Sequence, residues 1–340
     1  EIIEDFKSLS IEDMNDEEEM VLSITHNGYI KRTSLSTYRS QRRGGRGVQG
    51  ASSREEDFVE HLFVANTHSY ILFFTDKGKC YWVKVYDIPE GGRAAKGRAI
   101  VNLIGCEPDE KVSAFISVKE FHEDHFVVMA TEKGIVKKTK LSAYSNPRKK
   151  GIYAVEIRDG DKLIEARVST GDNDILLGTR NGKSIRFSEE QIRASGRKTM
   201  GVKGITLSSD DDRLVGMLLI KREGTVLVAT EKGFGKRTEI SQYRAQKRGG
   251  KGVLTMKTTE KVGKMVTIKE VVEKDDLMII TNQGVLIRLP VAQIRSIGRA
   301  TQGVKLIKLG EGTLVSSITR IMSEEEQDED NNSEPSSDKE

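Results

Sequence analysis

A short apolar run followed by Thr-x-x-Gly recurs six times along the chain, at Thr25/Gly28, Thr75/Gly78, Thr131/Gly134, Thr179/Gly182, Thr230/Gly233 and Thr281/Gly284. A second glycine follows 19 residues after the first in five copies and 17 after it in the third: Gly47, Gly97, Gly151, Gly201, Gly252 and Gly303. The period is about 50 residues. Repeats of this length are single supersecondary units. None buries its apolar face alone, so neighbours must stack.

Residue types within a copy point to strands. Val226-Leu227-Val228-Ala229 is a short β-type run, and Thr230-Glu231-Lys232-Gly233 closes it with a tight turn in which glycine takes positive φ without steric cost. His26-Asn27-Gly28 and Arg180-Asn181-Gly182 carry the Asn-Gly hairpin signal. Each copy therefore reads as a small antiparallel sheet. Solenoid repeats are usually shorter, so six such sheets packed around an axis favour a propeller. The expected class is all-β, a ring of six antiparallel sheets with blades at about 21–66, 69–118, 124–168, 172–219, 223–272 and 275–322.

The formal net charge of +3 conceals a strong asymmetry. Residues 1–20 hold nine acids and one base, and residues 323–340 hold the same, so each end carries −8 and residues 21–322 carry +19. A basic body of this kind suits a polyanion. The tail after Met322 has no apolar residue and reads as disordered; beside a basic ring it would compete with a polyanion and mildly inhibit binding. No apolar run approaches the roughly 18 residues of a spanning helix, and the acidic start lacks a secretory h-region. The chain does not begin with Met and reads as a piece of a longer protein. Cys80 and Cys106 fit buried thiols in a reducing cytosol.

The bases recur in columns. Four residues before the second glycine stand Arg43, Arg93, Arg197, Arg248 and Arg299, while the third copy has Pro147 there, followed by Arg148, Lys149 and Lys150. Four residues after the first glycine stand Arg32, Lys138, Arg186, Arg237 and Arg288, with Trp82 the exception. On a closed ring such columns predict a rim of positive charge that meets a phosphate backbone. Lys198, Lys247 and Lys251 flank the same turns. The richest are Gln41-Arg42-Arg43-Gly44-Gly45-Arg46-Gly47 and Gln246-Lys247-Arg248-Gly249-Gly250-Lys251-Gly252. There glycines allow close backbone approach to phosphate, and Arg offers a bidentate fork.

Odd and even copies differ. Three residues after the first glycine, odd copies have Lys31, Lys137 and Lys236 where even ones have Tyr81, Ile185 and Ile287. Ten residues after it, Tyr38, Tyr144 and Tyr243 alternate with Ile88, Ile192 and Ile294. The unit is therefore a pair of repeats present three times, and the more basic odd copies are expected to hold nucleic acid more tightly. The tyrosines read as packing residues.

With these residues in view, the chain resembles the C-terminal domain of bacterial DNA gyrase A. Gln41 to Gly47 looks like that family's heptapeptide, the gyrase A box, with Arg46 where Lys is more usual. The resemblance implies a six-bladed β-pinwheel, a propeller-like ring with strands exchanged between neighbouring blades. It implies that duplex DNA is bent and wrapped with positive handedness around the disc, enabling negative supercoiling by the holoenzyme, and that the box is required. It also implies that residues 1–20 connect to an N-terminal cleavage domain. The implied partners are double-stranded DNA, gyrase B and the N-terminal part of gyrase A in an A2B2 assembly in the bacterial cytoplasm, at the nucleoid, the isolated piece being monomeric. ATP and magnesium would be used elsewhere in that assembly, so no cofactor is expected here. The paralogous topoisomerase IV protein typically has a degraded box.

No catalytic or metal site is expected. Gly178-Thr179-Arg180-Asn181-Gly182-Lys183-Ser184 has three spacers where a P-loop has four and coincides with a repeat turn. His122-Glu123-Asp124-His125 is too short for helical zinc spacing. The alternatives are a topoisomerase IV domain, a propeller that scaffolds acidic protein partners, or an RNA module. The last would want exposed aromatics for stacking, and only 6% of residues are aromatic.

Overall fold

The computed structural model describes residues 15–34, 57, 59–92, 95–221, 224–283 and 285–321. The heptapeptide Gln41–Gly47, Arg93 and the acidic tail lie outside the described residues. The chain forms six antiparallel sheets, and each repeat supplies three strands to its own sheet. The fifth blade shows the plan. Strand Thr225–Thr230 hairpins into Phe234–Glu239, and Met265–Val271 returns along its other side. A fourth strand, Val304–Lys305, arrives from the sixth repeat and pairs with Phe234-Gly235.

The same exchange occurs in every blade whose donor loop is described. Arg98–Ala99, Ile152–Tyr153, Val202–Lys203 and Val253–Leu254 each complete the sheet of the preceding repeat. This is the pinwheel arrangement, and it ties each blade covalently to its neighbour's edge. The order within a sheet puts the third strand of each repeat at the hub and the exchanged strand at the outer rim. Hub strands of successive repeats pack together. Phe63 stacks on Phe115 at 5.2 Å between blades one and two, and the last hub strand, Val315–Ile321, contacts the first, Val59–Asn66. The ring is closed.

The core lies between blades. Met20, Leu22 and Ile30 of the first pack with Phe73, Val83 and Ile88 of the second, and Leu227 and Ala229 of the fifth with Ile279, Ile294 and Ile318 of the sixth. Tyr144 and Tyr243 are fully buried in such seams, as packing residues should be. The ring is thus the smallest unit in which every apolar face is covered.

Both motif columns have local causes. The threonine carbonyl accepts the N–H of the first glycine, at 2.9 Å for Thr25/Gly28 and 3.0 Å for Thr230/Gly233. Its hydroxyl accepts the next amide, as in Thr25 Oγ1 from Tyr29 N at 3.1 Å and Thr281 Oγ1 from Val285 N at 3.0 Å. Each hub-strand pairing slips register at this threonine, and the bulge bends the blade. The P-loop-like stretch is one of these hairpin turns, between Asp174–Thr179 and Lys183–Ser188. The second glycine serves the exchange. Gly252 has φ +69°, and a Cβ there would lie 2.3 Å from the Ser184 carbonyl oxygen of the preceding blade. Its closeness is to a neighbouring strand, where the sequence suggested room for a phosphate.

Candidate nucleic-acid interface

The described basic turns run directly into exchanged strands, so the topology places them on the outer rim. Arg148, Lys149, Lys150, Lys198, Lys247 and Lys251 are exposed there. Among the arginines four before the second glycine, Arg248 and Arg299 sit deeper and brace their loops. Arg248 donates from Nε to Gln191 O at 3.2 Å and from Nη1 to Lys203 O at 2.6 Å. Arg299 Nη1 reaches Leu254 O at 2.9 Å. Arg197 is half-buried. The Gln246–Gly252 turn is fastened to the fourth blade through Gly249 N to Gly204 O and Thr206 N to Gly250 O, both at 2.8 Å. It is a shaped loop.

The column four residues after the first glycine is not a ring of surface charge. Each member from Arg32 to Arg237 crosses to the next blade and donates to a carbonyl in or just after its 3-10 turn. Arg32 Nε reaches Ile88 O at 2.7 Å, Lys138 Nζ reaches Glu189 O at 3.1 Å, Arg186 Nη1 reaches Tyr243 O at 3.1 Å and Arg237 Nε reaches Ile294 O at 2.8 Å. Trp82 makes the same bond, from Nε1 to Tyr144 O at 2.8 Å. The exception in charge is no exception in role. Carboxylates further occupy these cations: Asp174 lies 2.7 Å from Arg186 and Glu273 lies 3.4 Å from Arg237. Arg288, in the last blade, pairs with Asp276 and is exposed. The expectation that this column lines the rim is therefore corrected, except at Arg288. A guanidinium or indole N–H satisfies a carbonyl that the joint would otherwise bury unpaired.

A second correction concerns the odd-copy lysines. Lys137 and Lys236 are 1% and 0% exposed and Lys31 is half-buried. Their ammonium groups donate to carbonyls of the next blade's basic loop. Lys31 Nζ reaches Gly92 O and Ala95 O at 2.9 Å each, Lys137 reaches Arg197 O, and Lys236 reaches Gly298 O at 2.8 Å and also Arg299 O. Burial first, and the like charge of Arg197 or Arg299 second, hold Lys137 and Lys236 down to about 8. The alternating column thus reflects what lies beneath the next loop. Under the even loops it is an ammonium. Under the described odd loops it is an aromatic or aliphatic side chain: Tyr81 beneath Gly151 and Ile185 beneath Gly250. Buried Lys236 and Arg237 cannot by themselves make odd blades grip harder at the surface.

Sequence reasoning missed one set. Arg193, Arg244 and Arg295 are exposed beside the rim loops. They share an offset of eleven residues after the first glycine, as does Arg39, which lies outside the described residues. That spacing was the available signal. Lys203 and Lys305, in the exchanged strands themselves, are also exposed.

A six-sheet ring with exchanged edge strands and bases concentrated on those edges narrows the relatives. The model of the DNA gyrase C-terminal domain, a beta-propeller, matches residues 19–66, 69–119, 125–170, 173–221, 224–271 and 275–321. The chain belongs to the DNA gyrase C-terminal domain family. It is 47% identical over 334 residues to DNA gyrase A of Staphylococcus aureus strain MRSA252, covering 97% of this chain and 37% of that protein. The match to the gyrase A of strain COL has the same identity and coverage. The chain therefore spans a little over a third of the length of the curated relatives it matches. Among solved structures, the C-terminal domain of DNA topoisomerase IV superposes with a TM-score of 0.81 at 24% identity, covering 92% of this chain and 96% of that one. The DNA gyrase A C-terminal domain superposes with a TM-score of 0.69 at 22% identity, covering 90% and 100%. At those identities the likeness speaks for the fold. Within the gyrase family, then, this chain is the propeller part, all-β, with the edge exchange present in five of its six described sheets.

Proposed function

We propose that this gyrase C-terminal domain binds duplex DNA without reading its sequence and bends it around the outer rim. In the whole protein it would work with the N-terminal part of gyrase A and with gyrase B, in an A2B2 assembly in the bacterial cytoplasm that uses ATP and magnesium to supercoil DNA negatively. The observation that carries this reading is the recurrence of exposed bases on the outer edge of successive blades. Phosphate contacts from such bases fix position without reading base edges, and a curved rim favours bendable DNA. The identity to gyrase A supports this reading over a topoisomerase IV protein.

The test is salt dependence on long duplex. If about 6–10 phosphates are neutralised, affinity falls roughly 10³–10⁵ between 50 and 200 mM salt. Changing both Lys247 and Lys251 to Ala should lower the slope of log K against log salt by about 2 and leave the unfolding midpoint unchanged. Arg237→Ala should lower the midpoint and spare the slope. Equal affinity for short and long duplexes would refute wrapping and favour a scaffold for acidic proteins.

A further inference from the structure

The buried lysines raise a question of charge balance. Lys137 and Lys236 lie wholly inside the protein, and their hydrogen bonds go to carbonyls and, for Lys236, to the Thr301 hydroxyl at 3.0 Å. The charge that bears on each is of the same sign, Arg197 on Lys137 and Arg299 on Lys236. A buried cation is costly unless an opposite charge completes it.

The loop geometry shows where that charge belongs. The described backbone contains no cis peptide bond, and in a trans peptide the N–H points opposite to its carbonyl. Where Arg197 O turns inward to Lys137, the amide of Lys198 turns away from it. Where Gly298 O and Arg299 O turn inward to Lys236, the amides of Arg299 and Ala300 turn away. Lys198 and Ala300 are exposed. An N–H turned away from the core with a cation behind it attracts an anion, and two in succession, as in the sixth blade's loop, form an anion-binding concavity.

We infer that the rim loops of the fourth and sixth blades are each built as a cradle for one backbone phosphate, and that Lys137 and Lys236 of the preceding blades are the positioning residues that hold them in that form. The inference rests on the DNA-binding reading above. It gives the two-repeat period a physical meaning: the odd blade supplies the post and the even blade supplies the cradle.

The experiment is a double-mutant cycle on the full chain with long random-sequence duplex, comparing Lys236→Met, Arg299→Ala and the double variant. Each single change should lower the slope of log K against log salt by about 1, the value of one phosphate. The double should lower it no further, because both act through one loop. A Lys236→Met protein with a lower unfolding midpoint and an unchanged slope would overturn the inference, as would additive losses of slope in the double. Should Lys236→Met fail to fold by circular dichroism, the cycle is run with Lys137→Met and Arg197→Ala, judged the same way. Wild-type protein with no salt-dependent affinity for duplex would instead refute the DNA reading itself.

Discussion

Trp82 shows what a single position does in this ring. Four of the five described joints between blades are closed by an Arg or Lys, and this one by an indole, all donating to a carbonyl at the neighbour's turn. Trp82→Phe removes the donor and keeps most of the ring contact, leaving the Tyr144 carbonyl unpaired. Urea unfolding should show a loss of about 1–3 kcal/mol, with affinity for DNA unchanged and stability regained in part by Trp82→Arg. Undiminished stability in Trp82→Phe would show that the bond contributes nothing. The buried lysines give a prediction in pH. Their folded-state values, about 8, lie below the ordinary 10.5, so between these values the unfolded chain holds more protons than the folded one. Stability should therefore rise as pH goes from 8 towards 10, and the burial penalty should be complete below 8. Urea midpoints at pH 7.5 and 9.5 check this: wild type should gain, and the protein with Lys137→Met and Lys236→Met should gain less. A wild-type midpoint flat across that range would contradict it.

At the scale of elements, the two glycine columns serve different joints. Gly28 turns a hairpin into open space, with nothing within 4 Å of a Cβ placed there, whereas Gly252 meets the Ser184 carbonyl at 2.3 Å. Gly28→Ala should lose only the αL preference, about 1–2 kcal/mol. Gly252→Ala should lose more, because it also pushes Val253–Leu254 off the fourth blade. Thermal midpoints compare the two, and a smaller loss at Gly252 would argue against strand exchange as the constraint. The repeats, the hairpins, the packing tyrosines and the six-part ring were legible in the sequence because each depends on local spacing. The direction of the basic columns was not. In the strand Phe234–Glu239, residues Gly235 through Thr238 are all buried, since blades cover both faces. A strand covered on both faces offers no in-out alternation by which Arg237 can be told from a surface residue. What remained readable was charge in the loops, where Lys247 and Lys251 are indeed exposed.

At the scale of the whole molecule, closure and exchange make the rim a rigid, curved row of positive charge. The hub holds by packing, and the outer edges of the first five blades are each locked by the neighbour's strand. The bases split into two populations, those that close joints and those that face solvent. On the proposed function only the second would meet DNA, and it is spread over successive blades, so a bound duplex would have to follow the curve to reach it. Rigid curvature with uniform chirality predicts that binding writhes the DNA in one sense. The direct test is to bind the domain to a nicked circle, seal the nick with ligase and count linking number. The expected result is a shift of constant sign that grows with protein per circle to a plateau and shrinks as salt rises. Sealed circles with unchanged linking number, under conditions where binding is demonstrated, would show that the ring holds DNA without wrapping it.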